Sequence, residues 1–340
     1  MSPQFVDFDH DGSIDIVAGI FDGSPHLARG TAAGFAKPEQ ILDRDGRRIM
    51  MNMFWNFDTS KWEETTRCDP AGGAPAKGHL TSAWAIDLGG DGVYDLYLGD
   101  HDNGYVYVRR NEGTAQKPAF APQNELVMAD GKPMHVPGTV TTMQVVDWDW
   151  DGVPDLVCGG MGDAYGDGEG GGIYWCKNTG TATAPVYAAA VTLVAPSKKG
   201  ESRATRPDSG LYMEACDFDG DGDLDLLVGG YSQWIPPAPQ LTAEQQARVA
   251  ELEKEQAEIS AATRKLNEAM SAATEGLDDE AAKAKRSEIL KTQADERKRI
   301  GKRAQAVHAE LEPLLPGPKR DSFVWLYENR QAAAAPARQQ

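Results

Sequence analysis

The stretch DFDGDGDLDLLVGG, residues 217–230, places five aspartates within nine residues and then continues into an apolar run. Carboxylates held a few ångströms apart repel one another and resist burial unless a cation lies between them. Three related stretches precede it: DFDHDGSIDIVAG from Asp7, DLGGDGVYDLYLG from Asp87 and DWDWDGVPDLVCG from Asp147. Their starts are 80, 60 and 70 residues apart, which indicates a repeated supersecondary unit with connections of variable length.

The similarity between the units continues after each acidic loop. YVYVRRNEGTAQKPAF, from Tyr105, matches IYWCKNTGTATAPVY, from Ile173, while FVWLYENR from Phe323 and HLARGTAAGF from His26 are partial versions. Each unit has the pattern of an alternating strand, the acidic loop, a short apolar strand, a hairpin and an aromatic strand. The sequence therefore predicts a mainly β chain of four small antiparallel sheets, packed face to face around an axis like propeller blades.

The acidic loop has the composition of a cation site. Its acids fall at positions one, three, five and nine, glycine at position six permits a sharp turn, and the position-seven carbonyl can add an oxygen. Six or seven hard oxygen donors without histidine or thiolate suit Ca²⁺. The predicted ligands are Asp7, Asp9, Asp11, Ser13 and Asp15 in loop 1; Asp87, Asp91, Val93 and Asp95 in loop 2; Asp147, Asp149, Asp151, Val153 and Asp155 in loop 3; and Asp217, Asp219, Asp221, Asp223 and Asp225 in loop 4.

Loop 2 departs from the pattern because Gly89 replaces the second acid, so we expect three to four bound Ca²⁺ ions and the weakest site at loop 2. An EF-hand begins similarly but requires a bidentate Glu at position twelve, at the start of a helix. Position twelve here holds Ala18, Leu98, Cys158 and Val228, inside strand-like runs, which excludes an EF-hand. Position two is apolar in all four loops and is expected to pack between neighbouring sheets.

These loops, with the NEGTAQKPAF and NTGTATAP segments, resemble the FG-GAP and VCBS repeats of integrin-α-like β-propellers over residues 3–235 and 320–330. The resemblance implies a β-propeller of four recognisable blades, complete or partial, whose calcium ions stiffen each blade. It also implies a location outside the cytoplasm, at the cell surface or in the periplasm. The family usually has seven blades, so a four-blade ring could be a fragment or be completed by a second copy or another chain.

Residues 241–312 have a different composition, rich in Ala, Glu, Lys, Gln and Arg and without proline. Thr242 and Gln245 form a capping box, and an apolar stripe runs through Val249, Leu252, Ile259, Leu266, Met270 and Ala273. A second helix from about Asp279 carries Ile289, Ile300, Val307 and Leu311. The predicted organisation is blades over 1–240, a helical hairpin over 241–312, a returning strand over 313–330 and a disordered tail over 331–340. Dimerisation or docking through the hairpin and a self-contained hairpin are both open.

Charge limits the partners. The formal charge of −18 opposes binding to nucleic acid or to an anionic membrane, no segment approaches a membrane-spanning length, and residues 1–10 show no secretory signal. Cys68, Cys158, Cys176 and Cys216 are too few for a disulfide scaffold; Cys158 and Cys176 are either buried thiols or a bridged pair.

Three segments are candidates for ligand contact. Residues 50–70, rich in Met and aromatics, either roof a ligand site or pack on themselves; Trp150 either stacks on a sugar or packs; and Asp163, Asp167 and Glu169 are a second cation contact or a flexible loop. The six histidines show no metal-binding spacing. The sequence favours a binding or adhesion module for a protein or glycan. It indicates no catalytic residues, and Ca²⁺ is the one cofactor that it predicts. A polysaccharide lyase or hydrolase, or an assembly component using the helical arm, is the alternative.

Overall fold

The computed structural model describes residues 3–65, 78–162, 170–196, 203 and 205–330. The chain divides into two compact units, the first formed by Met1–Lys199, Ala204–Gln233 and Arg320–Gln340 and the second by Gly200–Arg203 and Trp234–Lys319. The tail expected at 331–340 and the acids Asp163, Asp167 and Glu169 lie outside the described residues.

Short strands dominate the first unit, and three helices lie in the second. Residues 3–65 contain β1 (Gln4–Val6), β2 (Asp15–Gly19), β3 (Pro25–Ala28), β4 (Gly30–Thr31), β5 (Gly34–Phe35), β6 (Glu39–Gln40), β7 (Met53–Asn56) and β8 (Lys61–Glu64). Residues 78–162 contain β9 (Leu80–Ile86), β10 (Asp95–Asp100), β11 (Val106–Arg109), β12 (Glu125–Leu126), β13 (Met128–Ala129), β14 (Lys132–Pro133), β15 (Thr142–Val146) and β16 (Asp155–Gly159). The described residues after 170 contain β17 (Ile173–Cys176), β18 (Val191–Val194), β19 (Ser209–Cys216), β20 (Asp225–Trp234), α1 (Ala243–Thr274), α2 (Asp279–Thr292), α3 (Ala294–Leu311) and β21 (Lys319–Tyr327).

Four sheets repeat one plan, in which successive strands lie side by side. Sheet 1 has the order β1-β2-β3-β6, sheet 2 β9-β10-β11-β12, sheet 3 β15-β16-β17-β18 and sheet 4 β19-β20-β21. Neighbouring strands of sheets 1 to 3, and β19 with β20, are antiparallel. The mainly β fold of small antiparallel sheets is confirmed, and the helices interrupt sheet 4 between its second and third strands, as predicted.

Strand alternation fills three cores between consecutive sheets. In β10, Leu96 and Leu98 enter the core shared by sheets 1 and 2, whereas Tyr97 enters the core shared by sheets 2 and 3. In β16, Leu156 joins the core with sheet 2 and Val157 joins the core with sheet 4. Because successive side chains point to opposite faces, sheets 2 and 3 are buried on both faces, while sheets 1 and 4 each contribute to one core.

In sheets 1 to 3 a glycine at or next to the end of the second strand sets how closely the next sheet approaches. A Cβ on Gly19 would lie 2.6 Å from the Ser82 backbone in β9, and a Cβ on Gly159 would lie 2.5 Å from the Leu211 carbonyl in β19. Gly99 is crowded in the same way by Thr141, just before β15. Glycine is therefore required where backbones meet, and three equivalent junctions join the four sheets in series.

The segments after β11 and β17 fold identically, which explains their similar sequences. Asn111 Oδ1 accepts hydrogen bonds from the N–H groups of Gly113 and Ala119, at 3.0 and 2.8 Å. Asn178 Oδ1 accepts from the N–H groups of Gly180 and Val186, at 2.9 and 3.0 Å. The Asn-x-Gly signature is therefore a turn held by an asparagine side chain. The two segments are repeated in structure as well as in sequence.

The second unit is a helical hairpin with its own core. The capping box at Thr242 is present, and Leu252 and Ile259 of α1 pack against Ile300, Val307 and Leu311 of α3. Two parts of the prediction were wrong. Ala273 is exposed, so the stripe ends before the tip, and the second helix is interrupted at Gln293, whose N–H bonds to the Ile289 and Lys291 carbonyls. None of the described helices combines the length and hydrophobicity needed to cross a membrane.

The cysteines resolve one alternative left open by the sequence. Cys158, Cys176 and Cys216 are free thiols, and Cys68 lies outside the described residues. Cys158 and Cys176 are fully buried in the core between sheets 2 and 3. Burial raises the pKa of Cys176 to about 12 and raises that of Cys158 well above its usual value, so both act as small apolar side chains.

Candidate metal-binding loops

The four acidic loops occupy the same place, joining the first strand of each sheet to the second. Each begins after a residue that pairs with the last aspartate of the loop: Val6 with Asp15, Ile86 with Asp95, Val146 with Asp155 and Cys216 with Asp225. Position six is a glycine with φ between 79° and 101° in all four loops. Position twelve lies inside β2, β10, β16 or β20, so no loop is followed by the helix that an EF-hand requires.

Position four is also left-handed in every loop, which the sequence did not indicate. Gly90 and Gly220 adopt φ of 67° and 80°, and His10 and Trp150 adopt 56° and 57°. A left-handed conformation is costly for a residue with a Cβ, and contacts of the ring hold His10 in place. His10 stacks on Tyr94 and lies 2.6 Å from the Gly92 carbonyl through Nε2; Trp150 is 37% exposed.

A shared hydrogen-bond framework shapes the loops. In loops 1 and 3 the first aspartate accepts hydrogen bonds from the N–H groups at positions five and six: Asp7 from Asp11 and Gly12, and Asp147 from Asp151 and Gly152. The fifth-position carboxylate accepts from the N–H at position seven in all four loops, at 2.7 to 3.0 Å. These bonds turn the loop so that its carboxylates point inward.

The last aspartate of each loop is buried and connects the loop to the third strand of its sheet. It accepts a hydrogen bond from the backbone N–H of Gly30, Asn111, Asn178 or Asn329, at 2.7, 2.6, 2.6 and 2.8 Å respectively. Burial raises the pKa of Asp95 and Asp155. Position nine is therefore a structural anchor in all four sheets, whatever else it binds.

Three loops bring carboxylate oxygens together at the spacing of metal ligands. The oxygens of Asp7, Asp9 and Asp15, of Asp147, Asp149 and Asp151, and of Asp217, Asp219 and Asp221 lie within 4.8 Å of one another in each group. These acidic clusters can hold a metal ion. Among the described residues, loop 2 forms no such group, and Asp11, Asp155 and Asp225 stand outside the groups of their own loops. The carbonyl ligands predicted at Ser13, Val93, Val153 and Asp223 stay predictions.

Basic side chains lie beside three of the loops. Lys177 Nζ contacts Asp149 and, at 2.7 Å, Asp151 Oδ2; Arg29 contacts Asp9 in loop 1. In loop 2, Arg110 donates to Asp95 at 3.0 Å. Hydrogen bonds to the two aspartates raise the pKa of Lys177, and the lysine lowers the pKa of Asp151. The loops therefore attract positive charge where a bound cation would lie.

Loop 4 differs, because the equivalent position before Asn329 holds Glu328. Burial, and then the charges of four neighbouring aspartates of the loop, raise the pKa of Asp223. Asp223 Oδ1 and, in loop 1, Asp9 Oδ1 are buried and make no hydrogen bond to any described residue. Buried unpaired carboxylate oxygens are unfavourable in a folded protein, and both fit a cation ligand.

The segment at residues 50–70 folds in part as the hairpin β7–β8, whose indole rings pack together. Trp55 and Trp62 lie 5.8 Å apart, both contact Phe21, and Phe21 remains 60% exposed. Trp62 also packs on His79, with ring centroids 4.3 Å apart. The described part of this segment therefore packs on itself, and the roof over a ligand site stays a prediction.

Sequence reasoning missed a further group of ionisable residues near that hairpin. His79 and His101, 22 positions apart in sequence, stack with ring centroids 4.1 Å apart, and both reach Asp102. The contacts to the two histidines outweigh burial and lower the pKa of Asp102. No local spacing could reveal this group, because antiparallel pairing of β9 with β10 is what brings its members together.

No protein-family model matches the chain, and no curated protein matches it. Its function therefore has to be argued from the chemistry of the loops and from how the sheets repeat.

Proposed function

We propose that the chain is a calcium-binding module of the FG-GAP and VCBS propeller type, in which Ca²⁺ stabilises the repeated sheets. The observation that carries the proposal is the recurrence of one acidic loop at one place in four sheets, three of which gather carboxylate oxygens within 4.8 Å. A single acidic turn is weak evidence for a metal site. The same turn, repeated four times with the same anchoring hydrogen bond, is much stronger support.

The donor set favours Ca²⁺ over softer metals. The loops offer carboxylate and carbonyl oxygens with no thiolate, and Ca²⁺ takes six to eight such donors in flexible geometry. The buried unpaired oxygens of Asp9 and Asp223 support this assignment. We expect one ion in each of loops 1, 3 and 4 and a weak or vacant site in loop 2, giving three to four ions per chain.

The propeller arrangement rests on the junctions between sheets and on an open cavity. The cavity, of about 700 Å³, is lined by residues of the first strands of all four sheets, including Gln4, Trp84, Gln144 and Glu214. Side chains link these strands: Gln144 accepts from the Ala215 N–H at 2.7 Å, and Gln4 accepts from the Ala85 N–H at 2.6 Å. First strands that converge on one cavity are what blades around an axis would give.

For the module's role we favour binding of a protein or glycan outside the cytoplasm over catalysis on a polysaccharide. Among the described residues that line the cavity, Glu214 is the one carboxylate, whereas glycoside hydrolysis uses a pair of them. The aromatic surface at Phe21, Trp55 and Trp62 is the type of surface on which a sugar ring stacks. The net charge of −18 disfavours nucleic acid.

Calorimetric titration with Ca²⁺ after chelation tests the metal assignment. We expect three to four ions per chain, weaker binding of Mg²⁺, and a melting temperature that rises with Ca²⁺ concentration. Asp219→Ala and Asp149→Ala should each remove about one ion and several kcal/mol of stability at saturating Ca²⁺. Unchanged melting of both variants, with and without chelator, would exclude a structural ion.

A second candidate function, assembly of two copies into one ring, is favoured by the two outer sheets. Phe8, at position two of loop 1, is buried and stacks on Tyr94, at position eight of loop 2. At the ends of the series these positions are open: Phe218, at position two of loop 4, is 57% exposed, and Ile14, at position eight of loop 1, is 52% exposed. The open surface of sheet 4 thus has the chemistry of one side of the junction, and sheet 1 that of the other.

Two copies joined through both pairs of ends would bury these residues and close a ring with two-fold symmetry. Light scattering after size-exclusion chromatography should give a dimer in Ca²⁺ that Phe218→Asp and Ile14→Asp each dissociate. Leu277→Asp, at an exposed residue near the end of α1, is the control. Replacing residues 241–312 by a short linker separates this mode from dimerisation through the helical arm, because only the latter would then be lost.

A further inference from the structure

His79, His101 and Asp102 lie together because β9 and β10 are neighbours. His79 directly precedes β9, and His101 and Asp102 directly follow β10. The His101 N–H donates to the His79 carbonyl at 2.9 Å, which extends the pairing of the two strands by one step. The strand ends therefore bring the three side chains to one edge of sheet 2, away from the acidic loop at the other end of the same strands.

The donor atoms of this group face one another. Nδ1 of His79 lies 2.7 Å from Asp102 Oδ2, and Nδ1 of His101 lies 3.3 Å from Asp102 Oδ1. One ligand atom from each residue lies within 4.8 Å of the other two. Tetrahedral bonds of about 2.0–2.1 Å from a metal to nitrogen or oxygen place neighbouring ligand atoms about 3.3 Å apart. The separation of His101 from Asp102 has this value, and His79 would move away from Asp102 by about 0.6 Å to bind the same ion.

An ordinary histidine–aspartate pair does not account for the position of His79. The side chain of His79 is 10% exposed, and its Nδ1 makes no well-aligned hydrogen bond to any described residue although it lies 2.7 Å from a carboxylate oxygen. A buried ring nitrogen without a hydrogen bond is unfavourable. Coordination of a metal by Nδ1 would satisfy it.

From this geometry we propose that His79, His101 and Asp102 form a binding site for Zn²⁺ or a similar borderline divalent cation, separate from the calcium loops. Two imidazoles and one carboxylate are donors of the type that Zn²⁺ prefers, whereas Ca²⁺ takes oxygen donors almost alone. The proposal does not depend on the acidic loops binding calcium.

The surroundings hold the ligands in place. Asp102 Oδ2 accepts a hydrogen bond from the His79 N–H at 2.9 Å, and the Asp102 N–H donates to Asp100 Oδ1 at 2.7 Å. The indole of Trp62 also packs against the His79 ring, tilted by 48° and with ring centroids 4.3 Å apart. Ligands fixed by backbone bonds and packing need little rearrangement to bind a metal.

The site is open on one side. The side chains of His101 and Asp102 are 34% and 38% exposed, in contrast to the buried His79. Three protein ligands leave at least one coordination position for water or for a donor from another molecule, which is the pattern of zinc sites that bind or activate a ligand. The exposed aromatic surface at Phe21 adjoins this opening through Trp62.

Zinc titration of the full chain in saturating Ca²⁺, read by competition with a chromophoric chelator, tests the proposal. Calcium competes with zinc for the carboxylate loops, and variants in a loop and in the histidine group show which of them holds the zinc that is measured. We expect one Zn²⁺ per chain, with an affinity that falls as the pH is lowered, because protons compete with the metal for the imidazole nitrogens. A visible spectrum of the Co²⁺-substituted protein should show nitrogen and oxygen ligation.

Asp102→Asn and His101→Ala should weaken Zn²⁺ binding by more than the roughly 10–100-fold typical for loss of an outer partner. His135→Ala, at an exposed histidine outside the group, and Asp219→Ala, in loop 4, should leave zinc affinity unchanged. Circular dichroism checks that each variant is folded. Absence of stoichiometric zinc in the folded wild type, or equal zinc affinity in Asp102→Asn, His101→Ala and wild type, would overturn the proposal.

Discussion

Loops 2 and 4 share a backbone plan but differ in charge. In both, the last aspartate accepts the N–H of an asparagine that follows the third strand, at 2.6 Å for Asn111 and 2.8 Å for Asn329. Loop 4 has five aspartates, and the residue before its asparagine is Glu328. Loop 2 has three aspartates, and the residue before its asparagine is Arg110.

The difference shows that the shape of the loop and its demand for a cation are separable. In loop 2, Asp87 accepts hydrogen bonds from the N–H groups of Gly90, Asp91 and Gly92, and Arg110 compensates Asp95. This loop is satisfied by the protein alone. In loop 4, burial and neighbouring aspartates raise the pKa of Asp223, so the same turn holds charge that the described residues do not neutralise. The shape is common to the repeat, and the need for an ion is local.

The largest test of this comparison is Asp221→Ala against Asp91→Ala. Both residues occupy position five, and each accepts one hydrogen bond of 3.0 Å from the N–H at position seven. Asp221→Ala should also lose metal linkage, about 3–4 kcal/mol when Ca²⁺ exceeds its Kd by 100- to 1,000-fold. Denaturant unfolding in Ca²⁺ and in EDTA separates the two contributions.

In EDTA Asp221→Ala should lose slightly less stability than Asp91→Ala, because their lost hydrogen bonds match and removal of Asp221 also relieves repulsion on Asp223. An equal loss for both variants in Ca²⁺ would mean that loop 4 holds no structural ion.

The second test installs the missing acid in loop 2. A Cβ on Gly89 would lie 3.0 Å from Asp91 Oδ1, so an aspartate there places a new carboxylate beside an existing one. Gly89→Asp should add one bound Ca²⁺ and stabilise the protein by about 2–3 kcal/mol at 100-fold excess over Kd. Calorimetric stoichiometry measures the added ion, and Gly89→Asn is the neutral control. If both variants bind as many ions as wild type, a missing charge is not what weakens loop 2.

Features encoded locally could be predicted from the sequence. The acidic loops, the capping box at Thr242 and the insertion before β21 depend on neighbouring residues, so pattern and composition suffice to locate them. One residue, Gly89, also indicated that loop 2 would differ, and among the described residues loop 2 forms no metal-ligand group.

Features that depend on the fold could not be predicted. His79 and His101 meet only because β9 pairs with β10, and Lys177 reaches loop 3 only because β17 lies beside β16. The interruption of the second helix at Gln293 involves no proline or glycine, so the sequence gave no sign of it. The left-handed backbone at Trp150 could not be predicted either. The residue types at position four differ between the repeats, so the position gave no sign of a shared conformation.

The third test concerns Lys177, which lies beside loop 3. Its positive charge has no equivalent beside loop 4. Lys177 Nζ contacts Asp149 and Asp151, so it occupies space and charge that a bound ion would need. Lys177→Gln should raise the Ca²⁺ affinity of loop 3 about tenfold, equivalent to about 1.4 kcal/mol, and cost the metal-free protein no more than about 1 kcal/mol. Lys132→Gln, at an exposed lysine in β14, is the control. Unchanged calcium affinity would show that Lys177 turns away when the ion binds.

The smallest effect is a pH dependence in loop 4. The pKa of Asp223 is raised in the folded protein by burial and by neighbouring aspartates, so the folded state binds its proton more tightly than the unfolded chain does. Its contribution to stability is therefore complete below the unfolded pKa of about 3.9 and is lost as pH rises through the folded value. In EDTA, Asp223→Asn should remove this loss and stabilise the protein near neutral pH by no more than about 1 kcal/mol.

Melting curves of wild type and Asp223→Asn across pH, in EDTA and in Ca²⁺, measure this effect. Calcium should reverse its sign, because a bound ion neutralises the carboxylates and the amide offers a weaker ligand set. Asp151→Asn in loop 3 is the matched case, since Lys177 lowers the pKa of Asp151. In EDTA that variant should lose stability, and a gain of stability there would contradict the assignment of the lysine as a stand-in for the ion.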